Sequence, residues 1–210
     1  EVMNKRERLG LLALQKVAGL ENKNIESMQL GFVLGPRINA MGRLSNGIQA
    51  LRLLCTPNRA QAKTLAKELS ETNVKRQDLT FQQIKDAQEQ VKEQIDENLI
   101  VVQSKDFHEG VIGLIAGKLS ERYHKPAIVI AIDGDKAKAS ARSIPGINVI
   151  ELIRTVKEDL LAAGGHPMAA GFGVETDKIK DIKQRLQETA NKIDHNLFEK
   201  TVELACNIPL

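Results

Sequence analysis

The chain has 210 residues, 42% hydrophobic and 27% charged, with a net charge of +3. That profile fits a soluble globular chain of one large or two small domains, and no apolar run approaches the ~18 residues of a membrane span. The mild positive charge allows a polyanionic partner without requiring one.

Aromatic residues make up only 3% of the chain, so the core rests on Leu, Ile, Val and Ala. No succession of charged, apolar and small residues at the start reads as a signal peptide. The first residue is Glu1, which reads as an excerpt of a longer protein. Cys55 and Cys206 lie far apart, without zinc spacing or a disulfide framework. They read as two small buried thiols in a reducing cytosol, a cytoplasmic setting.

In chain order, residues 4–18 predict a helix with a leucine-rich stripe. A loop follows, and then "LGFVLGPRINAMGRLSNG", dense in Gly and carrying Pro36. "GIQALRLLCT" predicts a helix that stops at Pro57. From Asn58 to about Glu97 there is neither Pro nor Gly. Leu65, Leu69, Val74, Leu79, Ile84, Ala87, Val91 and Ile95 recur at helical steps. They predict one long helix or two in series; unbroken, it would span about 60 Å, a bridge between domains.

From Asn98 the pattern changes to alternating strand and helix. "NLIVVQS" predicts a buried strand, "EGVIGLIAGKLSERY" a helix, "KPAIVIAID" a strand and "AKASARSI" an alternating strand. "INVIELIRTVKEDLLAA" predicts a helix ended by Gly164 and Gly165. "MAAGFGVE" predicts a strand, the segment from Thr176 a helix capped by Thr176, and "KTVELACNI" a last strand. The fold class is therefore α/β: a helical tail of one domain over 1–57, a long connecting helix over 58–97, and an α/β domain over 98–210 with a mixed sheet flanked by helices.

Four stretches carry candidate chemistry. In "GPRINAMGRL", Arg37 and Arg43 flank Asn39. Guanidinium forks match phosphate oxygens, although two surface arginines at a helix boundary would look the same. In "FHEGVIG", His108 and Glu109 precede a helix N-terminus. There His108 either meets an anion, or Glu109 simply complements the helix dipole. In "ASARSIPG", Ser140 and Arg142 share one face of a strand and Ser143 the other, a set suited to phosphate or to an exposed edge. In "AAGGHPMAAGFGV", Gly164 and Gly165 permit close backbone approach and present His166 from a helix-to-strand turn.

Asp133 and Asp135 form the one tight aspartate pair, and "DGD" before a lysine reads as a hairpin turn rather than a metal site. No phosphate-loop pattern, dinucleotide fingerprint or nucleophile elbow occurs.

Taken together, "LGPRINAMGRL", "HEGVIGLIAGKLSERYHKPAIVI", "SARSIPGINVIELI" and "GGHPMAAG" resemble the RecJ family of single-strand-specific exonucleases in the DHH phosphoesterase superfamily. The resemblance covers nearly the whole chain. It implies a DHH domain whose Asp-His-His signature, absent from this sequence, binds two Mn²⁺ or Mg²⁺ ions. It also implies a long helix, a DHH-associated domain and often an OB-fold.

By the same resemblance, Arg37, Asn39, Arg43 and His108 contact substrate. Ser140, Arg142 and Ser143 form a phosphate clamp near a 5′ end. Gly164 and Gly165 form a turn facing the metals, with His166 at the scissile phosphate. Phe107 stands where the family commonly has tryptophan, which favours core packing, and Ala139 where glycine is usual. The partners implied are single-stranded DNA, a single-strand-binding protein and a helicase, and no membrane. The chain is expected to be inactive alone, as the substrate-binding half of a 5′-to-3′ exonuclease. The alternatives are a phosphodiesterase of short oligonucleotides or cyclic dinucleotides, and a catalytically silent scaffold that binds nucleic acid.

Overall fold

The computed structural model describes residues 4 and 7–200. The expected strand "KTVELACNI" and Cys206 lie outside the described residues. Contacts divide the chain into two compact units, residues 1–82 and 83–210. The division falls inside the long helix.

The first unit is helical. It comprises α1 (Leu9–Val17), the short α2 (Ser27–Gln29), α3 (Gly35–Leu44), α4 (Ile48–Cys55) and the start of α5 (Arg59–Val91). Leu14, Leu34, Met41, Leu53, Leu65 and Leu69 form its core. Gly10 lets α1 lie against the backbone of α4, since a Cβ there would fall 1.7 Å from Leu53 O.

The Gly-rich segment before α3 is continuous helix rather than a break. Leu30–Leu34 forms a π turn in which Gly35 N–H bonds to Leu30 O, five residues back. Pro36 then sits in the first turn of α3, where the widened backbone tolerates its missing N–H.

α4 ends as expected before Pro57, with Thr56 extended. Cys55 corrects an expectation, because it is exposed. The buried positions of α4 are Ala50 and Leu53, and a residue two steps beyond Leu53 points about 200° around the helix.

α5 runs unbroken for 33 residues. Its apolar stripe holds at Leu65, Leu69, Ala87 and Val91 but not between, where Val74 is 51% exposed. The buried residues there are polar: Asn73, Thr80 and Gln83.

The second unit is a five-stranded mixed sheet with helices on its faces. The strands are β1 (Ile100–Ser104), β2 (Ala127–Asp133), β3 (Lys136–Arg142), β4 (Leu160–His166) and β5 (Ala169–Glu175), in the order β1-β2-β3-β5-β4. β1 and β2 are parallel, joined through α6 (Ile112–Tyr123), and all other neighbours are antiparallel.

One face is apolar. Ala137, Ala139, Ala141, Ala170, Phe172 and Val174 pack there with residues of α7 (Val149–Arg154) and α8 (Ile179–Ala190). α6 lies on the opposite face. Asp133 and Lys136 pair across a two-residue turn in which Gly134 has φ 58°, so "DGD" is the hairpin expected.

Two expectations fail here. The helix expected over residues 147–163 stops at Arg154, and Leu160–His166 is the edge strand β4. An apolar run such as "LLAAGG" fits helix or strand equally by periodicity, and pairing with β5 decides it. Thr176 does not cap a helix. Its hydroxyl donates to Gly134 O at 2.9 Å and its N–H to Asp135 O at 3.0 Å, which latches the β2–β3 turn.

Candidate nucleic-acid interface

The register of the sheet assembles two of the four stretches on one face. Ser140 pairs with Gly171, and Gly171 with Gly164. Arg142 pairs with Ala169, and Ala169 with His166. Partners opposite one another on neighbouring strands point to the same side. Lys138, Ser140, Arg142 and His166 therefore share the face opposite the α7–α8 core. Between them lies a floor of small residues: Ala162, Gly164, Ala169, Gly171 and Gly173. Residues 162–166 are exposed throughout.

α6 borders this floor. A Cβ on Gly113 would lie 3.0 Å from Ser140 Oγ and 3.1 Å from Arg142 Nη2, so both groups press against the first turn of α6. Arg142 Nη1 also donates to Ser140 Oγ at 3.3 Å and to Ala141 O at 2.8 Å. No side chain caps α6 at Val111. A helix start of this kind offers N–H groups and a positive dipole end to an anion.

The loop before α6 holds His108, which is exposed. Its Nδ1 accepts from Gly110 N–H at 3.0 Å, which leaves Nε2 to carry the proton of the neutral ring as a donor. Glu109 forms an ion pair with Lys138, and that hydrogen bond raises the Lys138 pKa. Phe107 is buried at 4% exposure, the core-packing role expected of it.

Ser143 stands apart from the floor. Its hydroxyl is buried and donates to Ile147 O at 2.7 Å, while its C=O accepts from Ser120 Oγ at 3.2 Å. These bonds tie α6 and the loop after β3 together.

His166 is the last residue of β4, not a residue of a helix-to-strand turn. Across Pro167 and Met168 it faces Ala169 in a hairpin. Gly165 has φ 152°, and a Cβ there would lie 2.4 Å from Ala170 Cα and 2.5 Å from Ala169 O. Only glycine fits that position. A Cβ on Gly164 would meet nothing within 4 Å. Gly165 therefore serves the hairpin, and Gly164 serves the open surface.

In the first unit, Arg37, Asn39 and Arg43 lie on α3. Asn39 and Arg43 are four residues apart and share a helix face, whereas Arg37 is turned away from them. Arg37 is half-buried. Its Nη1 donates to Val33 O at 2.6 Å and its Nε to Ser70 Oγ at 3.4 Å, and burial lowers its pKa.

Sequence reasoning missed Arg76 on α5. Its pKa is lowered first by burial and then by the nearby charge of Arg43. Its Nη2 donates to the buried Asn73 at 2.7 Å. Arg43 and Arg76 thus lie near enough for their like charges to interact. Nothing near Arg76 in sequence marks it, since it lies mid-helix among ordinary charged residues.

Residues 96–192 match the DHHA1 domain family. The chain is 36% identical to the single-stranded-DNA-specific exonuclease RecJ of Bacillus subtilis (strain 168), over 99% of this chain and 27% of that protein. It is 34% identical to the Escherichia coli (strain K12) RecJ, over 93% of this chain and 36% of that protein. The chain thus spans about a quarter to a third of the length of these relatives.

Among solved structures, RecJ of Thermus thermophilus in complex with Mn²⁺ superposes with a TM-score of 0.83 at 29% identity, covering 91% of this chain and 28% of that one. A manganese-bound exonuclease RecJ gives 0.81 at 28% identity, covering 94% and 49%. Similarity of sequence over nearly the whole length, together with the same fold, shows that the chain belongs to the RecJ family.

Proposed function

We propose that the chain is the substrate-binding part of a metal-dependent 5′-to-3′ exonuclease that degrades single-stranded DNA in repair and recombination. The observation that carries this reading is the shared face on which Ser140, Arg142 and His166 surround a floor of glycine and alanine. A nucleic-acid strand needs such a floor, because its sugar-phosphate backbone must come within hydrogen-bond reach of donors without meeting side chains.

In this reading Arg142 and Ser140 take a phosphate together with the α6 N-terminus, and His108 Nε2–H donates to the same strand. His166 stands across β5 from Arg142 as the catalytic donor to the scissile phosphate. There it stabilises the charge that develops on the phosphoryl oxygens. Gly164 keeps the approach open and Gly165 sets the hairpin. Arg43 with Asn39, aided by Arg76, takes a further backbone phosphate, and Arg37 supports α3 from within. Ser143 contributes by fixing the loop after β3.

The RecJ structures from Thermus thermophilus are complexes with Mn²⁺ or Mg²⁺. Among the described residues here, no group of three or more His, Cys, Asp or Glu is placed to hold a metal ion. We therefore assign the ions, and the generation of the attacking hydroxide, to residues of the whole protein other than these. What this chain supplies is binding and orientation of the strand and the His166 donor. Partners suited to such a role are a single-strand-binding protein and a helicase that exposes the strand. No helix among the described residues is long and apolar enough to cross a membrane.

Binding of a fluorescent single-stranded oligonucleotide, titrated across salt concentrations, tests the reading. Arg142→Ala and Arg43→Ala should each flatten the logarithmic salt slope by about 0.7 for every phosphate no longer neutralised. Unchanged slopes in both variants would remove these arginines from the phosphate backbone, and with them this function.

A further inference from the structure

β1 is an edge strand, and its outer edge is covered by side chains of α5 and the turn that follows it rather than by another strand. Gln94 Oε1 accepts from Val101 N–H at 3.1 Å. Gln90 accepts from Gln103 N–H and donates to Gln103 O, both at 3.0 Å. Gln83 continues the series beyond the strand: its Nε2 donates to Asp106 O at 2.5 Å and its Oε1 accepts from His108 N–H at 3.1 Å.

The spacing explains why a helix can do this. Four helical residues rise about 6 Å, close to the rise of two residues in a strand. Gln94 and Gln90 therefore stay in step with Val101 and Gln103. Positions 83, 90 and 94 also return to one helix face. Each primary amide offers donor and acceptor groups in a plane, as a neighbouring strand would.

Gln83 differs from the other two in what it holds. It is buried at 4% exposure, and its partners flank Phe107 in the loop that carries His108. Beyond that clamp the loop closes on itself, with Gly110 N–H to His108 Nδ1 and Val111 N–H to His108 O at 3.0 Å each.

We propose that Gln83 is a positioning residue for His108: its amide fixes the backbone on either side of Phe107, and so holds the imidazole in the loop that leads into α6, whose first turn meets Ser140 and Arg142. The second-unit end of α5 and the strand-binding loop thereby move as one piece. The proposal rests on the reading of that face as the site where a nucleic-acid strand binds.

The test compares Gln83→Met, Gln90→Met, His108→Ala and the double variant Gln83→Met/His108→Ala in the full chain, with a 5′-phosphorylated single-stranded oligonucleotide as probe. Gln83→Met keeps the side-chain volume and removes both hydrogen bonds. It should raise the exchange rate of the His108 amide hydrogen and weaken binding about three- to tenfold. Gln90→Met loosens the same edge away from His108 and should leave affinity unchanged. In the His108→Ala background, Gln83→Met should cost nothing further.

Gln83→Glu keeps the acceptor for His108 N–H and should retain most of the amide protection. It serves as the folded control should Gln83→Met lose structure, and a Gln83→Glu variant with unprotected His108 and full affinity would overturn the proposal. Equal losses in Gln83→Met and Gln90→Met would do the same by showing a general role in edge cover. Weak binding in His108→Ala with full binding in Gln83→Met would remove the positioning role while leaving the binding face intact. Full binding in both His108→Ala and Arg142→Ala would instead reject the binding face itself.

Discussion

Gly164 and Gly165 are neighbours in sequence, yet alanine at each should fail for a different reason. At Gly165 the new Cβ would lie 2.4 Å from Ala170 Cα, 2.5 Å from Ala169 O and 2.7 Å from Ala170 Cβ. Two of these are backbone atoms of the paired strand, which cannot turn aside as a flexible side chain would. The backbone is also at φ 152°, where alanine is strained. Overpacking and backbone strain each cost about 1–3 kcal/mol, and an edge strand can relax part of this, so ~2–4 kcal/mol is expected. For a chain of this size that lowers Tm by roughly 5–15 °C. At Gly164 the Cβ would meet nothing within 4 Å. Gly164→Ala should therefore melt within about 2 °C of the parent. Its methyl group rises instead from the floor beside Gly171 and Ser140. A clash with an approaching strand at about 1–2 kcal/mol weakens single-strand binding roughly five- to thirtyfold. Thermal denaturation and fluorescence anisotropy on both variants separate the two costs. A Gly165→Ala variant that melts with the parent, or a Gly164→Ala variant that binds as tightly as the parent, would refute the division of roles.

Further outcomes are expected from the same geometry. Gly113→Ala should displace the Arg142 guanidinium, since the added Cβ would lie 3.1 Å from Nη2; single-strand affinity should fall while α6 keeps its helicity by circular dichroism. The Asp159 pKa is lowered chiefly by its hydrogen bond from Arg185, with Lys178 adding to it. The stability this contributes is fully present above the usual carboxylate value of about 3.9 and is lost as pH falls through the lower folded-state value. Arg185→Gln should accordingly flatten the dependence of Tm on pH below about pH 4. The 210-residue chain supplied with Mn²⁺ or Mg²⁺ should bind but not shorten an end-labelled single strand, and robust digestion would place a metal centre within it. In a whole RecJ-family protein, His166→Ala should keep Tm and slow single-turnover cleavage on the order of a hundredfold; early melting with full-speed cleavage would make His166 a structural residue.

The sequence was most legible where one local rule acted alone. "KPAIVIAID" reads as a buried strand, and β2 is buried through its first five residues. The absence of Pro and Gly after Asn58 leaves one helix or two in series, and α5 is a single helix through Val91. Legibility failed where a tertiary partner chose between two local solutions. Leu160–Ala163 suits a helix until β5 supplies a ladder. Val74 and Leu79 suit a buried stripe, but on α5 the buried positions between Leu69 and Ala87 include Asn73, Thr80 and Gln83, residue types that a hydrophobic pattern does not count. Gln83 was invisible for the same reason, since its importance lies in two backbone groups more than twenty residues away.

The choice of strand over helix at residues 160–163 shapes the site. With residues 160–163 taken as helix, Gly164, Gly165 and His166 formed a turn, and Ser140 and Arg142 belonged to a separate stretch. Once 160–166 is a strand, alternation puts Ala162, Gly164 and His166 on one side and Ala163 and Gly165 on the other. Pairing through β5 then brings Gly164 into line with Ser140, and His166 with Arg142. Ser140, Arg142, Gly164 and His166 stand out singly in the sequence, but their sharing of one face depends on a register no local pattern records. A one-residue slip in β4 would turn His166 and Gly164 toward the α7–α8 core and bring Gly165 to the floor. The two-residue turn at Pro167 and Met168 fixes that register, and Gly165 permits the close packing against Ala169 and Ala170 that goes with it.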